Sequence, residues 1–338
     1  MKFIPKLLLV CLGLVLLWLV VRDLDLSEVG AQLRTLGAGI VLVLAINTLA
    51  YSIDTVSWHV MLAKVPFRFS GFWELWKIRM IGSSYNQTVP VVGIGGEPLK
   101  VVLLKRSLGI GYRDSAASLI VFQTTKLLSL VAVAIGGYVV ALALVGLPSS
   151  LSRVAPIGVG VFTAVVAAFF LFQRFRIASV IVKLFHRGWL RTRLVKALSG
   201  IREVEDLVVR FYTTEHARFA TAFTLTTVHV MLGAFEVYTT AWLLGHPMDF
   251  WSSWVVVALV EVVKVGTFFI PISLGAQDGA MVLVVGAITG NPTLGLSLAV
   301  VRRIREFFMI LWGFAIGWRY TFQRRMLAVA QGSETLTE

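Results

Sequence analysis

Two stretches of sequence decide the fold: residues 90–100, which read PVVGIGGEPLK, and residues 271–279, which read PISLGAQDG. Each stretch places proline, glycine and an acid in the middle of an apolar region, so neither region can continue as one straight helix. The two stretches lie 181 positions apart, and in that register Pro90 falls on Pro271 and Glu97 on Asp278. The shared pattern predicts two copies of one broken element.

The same offset aligns residues 37–137 with the second half of the chain without a gap. Phe69 and Trp73 then fall on Phe250 and Trp254. Duplication within a membrane protein is typical of transporters, because two copies of one fold can enclose a path between them. The alternative is that an apolar chain with regular loops produces the match by chance.

Composition indicates a membrane protein. The 338 residues are 57% hydrophobic and 14% charged, whereas about 25% of residues in a soluble domain are charged. An excess of 31 Lys and Arg over 18 Asp and Glu gives a formal net charge of +13. Without any nucleic-acid motif, this excess indicates positive cytoplasmic loops and contact with anionic lipid. We therefore predict no nucleic-acid partner.

The predicted fold class is an all-α polytopic membrane protein with six long transmembrane helices and two re-entrant hairpins, arranged as an inverted-topology repeat. A span needs about 20 apolar residues. Six runs are long enough: 4–21, 37–63, 114–145, 154–173, 218–244 and 294–318. Residues 72–109 and 251–290 are broken near the middle and are predicted as pairs of half-helices, which survive at membrane depth only where protein or a cavity covers them.

Basic residues predict the orientation, since Lys and Arg are enriched in cytoplasmic loops. The end of the second span is placed in the cytoplasm by Lys64, Arg68, Lys77 and Arg79. Both termini are then cytoplasmic in the inner membrane, and the two hairpins open from opposite sides. Four segments are predicted: a first repeat at 1–173, a basic amphipathic connector at 174–217, the core of a second repeat at 218–325, and a polar cytoplasmic tail at 326–338. The run 154–173 precedes the connector in sequence but is predicted to belong structurally to the second repeat.

The hairpin tips are candidate binding sites. Gly95 and Gly96 permit a ligand to approach the backbone closely, and Glu97 stands where a half-helix begins. A helix N-terminus carries partial positive charge and free N–H groups, which suit a phosphate. At the second tip, Gln277 precedes Asp278, which is predicted to be a helix N-cap. Two interpretations of the acids stay open, since they can cap half-helices, contact a substrate, or do both.

Charged residues inside the predicted spans form the second group of candidates. A charge at the centre of a membrane helix costs at least about 2.5 kcal/mol and usually faces an interior cavity. The group comprises Asp54, Lys126, Glu236, Arg302, Arg303, Arg305 and Glu306. We predict that Lys126, Arg302 and Arg305 counter a lipid phosphate. The alternative is a set of structural ion pairs that fix helix packing.

Other polar residues in the spans are predicted to hold helices together. Asn47 and His229 are expected to make hydrogen bonds between helices, and Glu261 is expected to pair with Lys264 at i, i+3. No metal-ligand spacing, Gly-x-Ser-x-Gly motif or P-loop is present, and the single cysteine, Cys11, excludes an internal disulfide. We therefore predict a protein that is not an enzyme and has no cofactor.

The run Gly-Gly-Glu-Pro-x-Lys at 95–100, followed by a basic turn, resembles the signature of the lysylphosphatidylglycerol synthase transmembrane family, also called flippase-like. The Pro-x-x-x-Gly-x-x-acid run at 271–278 and an arginine in the last long helix are similar to its second signature, although Ser273 and Leu274 stand where Pro-Gly is often seen. The resemblance covers nearly the whole chain. It implies a lipid-translocating membrane domain without the aminoacyl transferase domain that some members carry.

These observations together predict translocation of a polar or anionic lipid, with its headgroup carried through a polar groove between two inverted halves. An anionic phospholipid or a polyprenyl or hopanoid-type lipid is the expected partner. Since no nucleotide motif is present, a lipid gradient or proton or ion coupling would drive the movement. Two alternatives stay open: a membrane partner or regulator of a lipid-modifying enzyme, and an intramembrane headgroup transferase with Glu97 or Asp278 as the base.

Overall fold

The computed structural model describes residue 22 and residues 26–62, 65–88, 96–146, 149–176, 191–267, 273 and 275–334. Within these ranges the chain is all-helical, with eleven α-helices and no strand. The predicted first span at 4–21, the tip residues 90–95 with Gly95, Pro271 and the start of the connector at 177–190 lie outside the described residues.

The helices are numbered here in chain order. They are α1 (Leu26–Leu36), α2 (Gly39–Met61), α3 (Phe69–Thr88), α4 (Gly96–Leu108), α5 (Tyr112–Val140), α6 (Ser149–Arg174), α7 (Arg191–Thr214), α8 (His216–Leu243), α9 (Phe250–Gly266), α10 (Ala276–Thr289) and α11 (Pro292–Glu334). A π-helical turn, Ala141–Val145, continues α5.

Four helices of the described chain are long and apolar enough to cross a membrane. They provide the segments Gly39–Met61, Tyr112–Val145, Leu151–Arg174 and His216–Leu243. Each coincides within a few residues with a predicted run. The last predicted run, 294–318, lies within the 43-residue α11, but four charged residues between Arg302 and Glu306 make that stretch too polar to count as an apolar span.

The region of each predicted hairpin contains two separate helices that pack on each other, α3 on α4 and α9 on α10. α4 has 13 residues and α10 has 14. At 1.5 Å per residue these helices are about 20 Å long, too short to cross a hydrocarbon core of about 30 Å. α3 differs from the prediction, because its 20 residues exceed the length of a half-helix.

Helices that are distant in sequence pack against each other. α2 packs along α8, while α5 packs against α9 and α11 packs against α3. Trp254 of α9 fixes one of these contacts by donating from Nε1 to the carbonyl oxygen of Val133 at 3.1 Å. α7 joins the ends of α5 and α6 through the exposed pairs Arg113–Glu203 and Arg176–Asp206. Polar side chains of α2, α3, α5, α8, α9 and α11 meet where these pairs converge.

α9 begins at an N-cap outside the four apolar spans. The Asp249 carboxylate accepts hydrogen bonds from the backbone N–H of Ser252 at 2.9 Å and from its Oγ at 2.6 Å. Burial raises the pKa of the Asp249 carboxyl, but the Ser252 hydrogen bonds outweigh burial and hold that pKa below its usual range. The carboxylate is therefore ionised near neutral pH.

We expect Asp249→Ala to destabilise the fold by about 1 kcal/mol, because it removes the cap of α9. Asp249→Asn should retain most of the stability, since asparagine caps a helix about as well as aspartate. The thermal midpoint of the purified protein in detergent measures both effects. Equal losses in the two variants would contradict a capping role.

Candidate functional site

A polar cavity of about 280 Å³ lies between helices of both halves. Its walls come from α2, α3 and α5 on one side and from α8, α9 and α11 on the other. The charged side chains in these walls are Arg79, Lys126, Glu236, Glu261, Lys264, Arg305 and Glu306. Placing a charge inside a membrane protein costs free energy unless the charge is paired or faces such a space. A cavity charge without a partner in the protein is therefore the one available to a ligand.

One wall is organised by Asp54 of α2, which is fully buried. Arg79 of α3 donates from Nη2 to Asp54 Oδ2 at 2.6 Å and from Nη1 to Thr55 Oγ1 at 2.7 Å. Lys126 Nζ lies 3.7 Å and His229 Nε2 lies 3.9 Å from the same Oδ2. Asp54 Oδ1 has no hydrogen-bond partner among the described residues. This carboxylate thus joins α3, α5 and α8 to α2.

Lys126 has the weakest contact with an acid among the cations that line the cavity. Its Nζ makes no hydrogen bond to any residue the structure describes, and its approach to Asp54 is to an oxygen that Arg79 already holds. About a third of its side chain, 35%, is exposed. The other cavity cations each donate to an acid: Arg79 to Asp54, Lys264 to Glu261 and Arg305 to Glu236. The predicted Glu261–Lys264 pair is therefore confirmed.

The opposite wall is held by Glu236 of α8. Arg305 of α11 donates from Nη1 to both of its carboxylate oxygens, with Oε2 at 2.6 Å. Asn47 Nδ2 of α2 donates to Oε2 at 3.5 Å. His229 Nδ1 lies 2.9 Å from the carbonyl oxygen of Ala50. The predicted interhelical hydrogen bonds of Asn47 and His229 are both confirmed, and both join α2 to α8.

Asp278, the acid of the second hairpin, is held by α11. Arg303 donates from Nε to Oδ1 at 2.9 Å and from Nη2 to Oδ2 at 2.7 Å. Oδ2 also accepts the backbone N–H of Gly275 at 3.1 Å. Because α10 begins at Ala276 with Gly275 as its N-cap, Asp278 is the third helical residue. The prediction that Asp278 is the N-cap was wrong.

Arg302 is buried and has weaker contacts than Arg303. Its Nη2 lies 3.7 Å from Asp278 Oδ1 and its Nε lies 3.5 Å from Glu306 Oε1. Neither nitrogen has a hydrogen-bond partner in the described part of the chain. Arg302 lines a smaller cavity of about 70 Å³, which shares Glu236 and Arg305 with the main one. Glu306 Oε2 accepts instead from Arg303 Nη1 at 2.7 Å.

Glu97 lies in a separate polar cluster at the start of α4. Its Oε1 accepts from Lys100 Nζ at 2.7 Å, Asn86 Nδ2 at 2.9 Å and Gln123 Nε2 at 3.1 Å. Glu97 Oε2 is buried without a partner among the described residues. Asn86 Oδ1 accepts the backbone N–H of Gly96 at 2.6 Å. The first N–H group of α4 is therefore bound by α3 and is not open to a ligand.

The structure brings together part of the predicted site. Lys126, Glu236, Arg305 and Glu306 line the main cavity, with Asp54 behind Lys126. The cavity lining does not include the described hairpin residues Gly96, Glu97, Gln277 and Asp278. Gln277 is 2% exposed. The charges within the long helices thus mark the cavity together with Arg79, Glu261 and Lys264, whereas Glu97 and Asp278 lie at helix ends.

Arg79 is a cavity residue that sequence analysis misplaced. The charge pattern groups it with the basic residues that predict a cytoplasmic end of the second span, but it lies within α3 and is only 4% exposed. Its guanidinium carbon stands 4.2 Å from the ring centre of Tyr51. Its position inside a predicted half-helix, where a charge needs a partner, was the signal that could have identified it.

A family model described as Lysylphosphatidylglycerol synthase TM region matches residues 4–313. The matched range includes every residue that lines the cavity. No curated protein and no solved structure matches the chain.

Proposed function

The chain belongs to the lysylphosphatidylglycerol synthase TM region family, and from this membership and the interhelical cavity we propose that it translocates a polar or anionic lipid. The family ties the chain to membrane lipid metabolism or transport. In the proposal, the protein is a transporter without enzymatic activity, located in the cell inner membrane with both termini in the cytoplasm. Its substrate is an anionic phospholipid or a polyprenyl or hopanoid-type lipid, whose headgroup enters the cavity while the tails remain in the bilayer.

Lys126 is the single observation that carries this proposal. It faces the polar cavity with an ammonium group that has no hydrogen bond to the described residues. A charge-assisted hydrogen bond to a lipid phosphate would satisfy it, and such bonds are about twice as strong as neutral ones. The remaining charges of the walls are paired and keep the cavity polar without competing for the phosphate.

The proposed path lies between two inverted halves. The helix ends support this arrangement: α3 and α9 begin 181 residues apart, at Phe69 and Phe250, and α4 and α10 end 181 residues apart, at Leu108 and Thr289. Both halves contribute walls to the cavity. Two related halves around one site support alternating access, because each half can close one side in turn.

We also propose that α11 crosses the membrane, despite its charges. Arg305 and Glu306 line the cavity, whereas Phe307 and Leu311 are 63% and 52% exposed. The charged residues therefore face the protein interior and the apolar residues face outward. This is the arrangement expected of a span that carries charge toward a polar path.

The geometry favours transport over headgroup transfer. The headgroup-transfer alternative takes Glu97 or Asp278 as its general base, and that base has to lie within reach of the bound lipid. Glu97 Oε1 already accepts three hydrogen bonds, and Asp278 is bound by Arg303 through both oxygens. Neither acid is part of the cavity lining.

Lysine substitutions test the proposal in reconstituted liposomes. We expect the purified protein to move labelled phosphatidylglycerol between leaflets faster than in protein-free vesicles. Lys126→Ala should lower the rate at subsaturating lipid by about 10- to 100-fold, because a hydrogen bond to a charged group contributes about 1.5–3 kcal/mol. Lys126→Arg should retain most of the activity, since it keeps the charge.

The matched control is Lys105→Ala, which removes an exposed lysine from the last turn of α4 and should leave the rate unchanged. If wild-type protein moves no anionic or polyprenyl lipid faster than empty vesicles do, the proposed function is wrong. A Lys126→Ala protein with the wild-type rate would remove Lys126 from the mechanism.

A further inference from the structure

His229 presents a proton-accepting nitrogen to the cavity. Its Nδ1 lies 2.9 Å from the carbonyl oxygen of Ala50, and a carbonyl oxygen only accepts hydrogen bonds, so Nδ1 carries the ring hydrogen. In the neutral imidazole the free lone pair is then on Nε2. Nε2 lies 3.9 Å from Asp54 Oδ2, at the cavity wall. The Ala50 carbonyl thus fixes both the tautomer and the direction of the basic nitrogen.

Charged groups face this nitrogen from every helix that lines the cavity. They are Asp54 from α2, Arg79 from α3, Lys126 from α5, Glu236 from α8 itself, Glu261 and Lys264 from α9, and Arg305 and Glu306 from α11. Most are matched in pairs: Glu236 with Arg305, Glu261 with Lys264, and Glu306 with Arg303. Beside Nε2 there remain one acid, Asp54, and two cations, Arg79 and Lys126.

This local excess of one positive charge opposes protonation of His229 when the cavity holds no anion. A phosphate bound to Lys126 would remove the excess. Lys126 Nζ and His229 Nε2 flank the same oxygen of Asp54, at 3.7 Å and 3.9 Å, so an anion on Lys126 lies close to the imidazole. Protonation of Nε2 then returns the local charge only to the single positive excess that the empty cavity already carries, and places a further cation beside Asp54.

We infer that the cavity takes up one proton, at His229 Nε2, together with the lipid phosphate that binds at Lys126. This inference rests on the proposed function and adds the coupled ion to it. The proton comes from hydronium or a buffer acid on the side to which the cavity is open: the N–H bond at Nε2 forms, the bond from the proton to its donor breaks, and the donor keeps the electron pair. Linkage makes the effect reciprocal: the bound phosphate favours the proton, and the proton favours the phosphate equally.

The sign of the pH dependence follows from proton uptake. Lower pH supplies the proton and tightens lipid binding, whereas higher pH weakens it. Uptake of one proton per lipid changes the dissociation constant by at most about tenfold per pH unit. A pH difference across the membrane would therefore favour loading on the acidic side and release on the alkaline side.

Calorimetry of the full chain in detergent tests the inference, with a short-chain phosphatidylglycerol as the probe. Titrations at pH 7 in two buffers of different ionisation enthalpy give the number of protons taken up. We expect a value approaching one for wild type, and a dissociation constant that rises by more than about tenfold, and at most about 100-fold, between pH 6 and pH 8. His229→Asn should bind the probe without proton uptake and without this pH dependence, because its amide can still donate to Ala50.

His216→Asn is the matched control, since it removes an exposed histidine at the start of the same helix and should behave as wild type. His229→Gln provides a second variant without a basic ring nitrogen. Wild-type binding without proton uptake overturns the inference and leaves the proposed function intact, as does uptake that persists in the folded His229 variants. Absence of any lipid binding by wild type overturns both.

Discussion

Arg79→Ala is expected to destabilise the fold by about 3–5 kcal/mol, because it leaves a buried carboxylate without its main partner. Asp54 is fully buried and Arg79 is 4% exposed. Arg79 provides the 2.6 Å hydrogen bond to Asp54 and also binds Thr55 Oγ1 at 2.7 Å. Lys126 compensates only in part, since it lies 3.7 Å from the carboxylate and is 35% exposed.

Equilibrium unfolding in mixed detergent micelles measures this loss of stability. Two further variants show whether the loss comes from the uncompensated buried charge. Arg113→Ala removes an arginine from the exposed pair with Glu203, whose side chains are 56% and 48% exposed, and should cost at most about 1 kcal/mol. Arg79→Met combined with Asp54→Leu removes both buried charges and should recover most of the stability. A double variant as unstable as Arg79→Ala alone would show that packing, and not the uncompensated charge, explains the loss.

The breaks between helices were predictable from local chemistry. Proline and glycine interrupt both apolar regions, and the described helices end and begin on either side of them: α3 ends at Thr88 and α4 begins at Gly96, while α9 ends at Gly266 and α10 begins at Ala276. The four apolar spans were predictable for the same kind of reason, since hydrophobic length alone identifies them. α1 was missed, because its 11 residues are too short and too polar to be recognised as a span.

The pairing of charges could not be predicted, since it depends on how helices rotate against each other. Arg302 and Arg303 are neighbours in sequence but point about 100° apart on a helix with 3.6 residues per turn. Of these two arginines, only Arg303 makes hydrogen bonds to Asp278. The pairing of Arg79 could not be predicted from sequence either, because its partner Asp54 lies on a different helix. Sequence thus identified the residue types of the site, whereas tertiary packing selected the partners.

Gly96→Ala is expected to destabilise the fold by about 3 kcal/mol, the upper part of the usual range for overpacking. A Cβ at Gly96 would overlap the carbonyl oxygen of Gly82 and would lie 2.7 Å from its carbonyl carbon and 3.0 Å from Asn86 Oδ1. Gly82 presents backbone atoms, which cannot rotate away as a side chain can. α4 must therefore move away from α3, which also breaks the 2.6 Å hydrogen bond from the Gly96 N–H to Asn86.

Gly160→Ala is the control that separates this clash from the general effect of replacing glycine. Gly160 lies inside α6, where an added Cβ would meet no atom within 4 Å. Alanine favours a helix interior over glycine by up to about 1 kcal/mol, so this variant should equal or exceed wild type in thermal midpoint. Gly96→Ala should unfold several degrees lower. Equal midpoints in the two variants would show that α3 and α4 are not in close contact, and Gly96 would then return to its predicted role of admitting a ligand to the backbone.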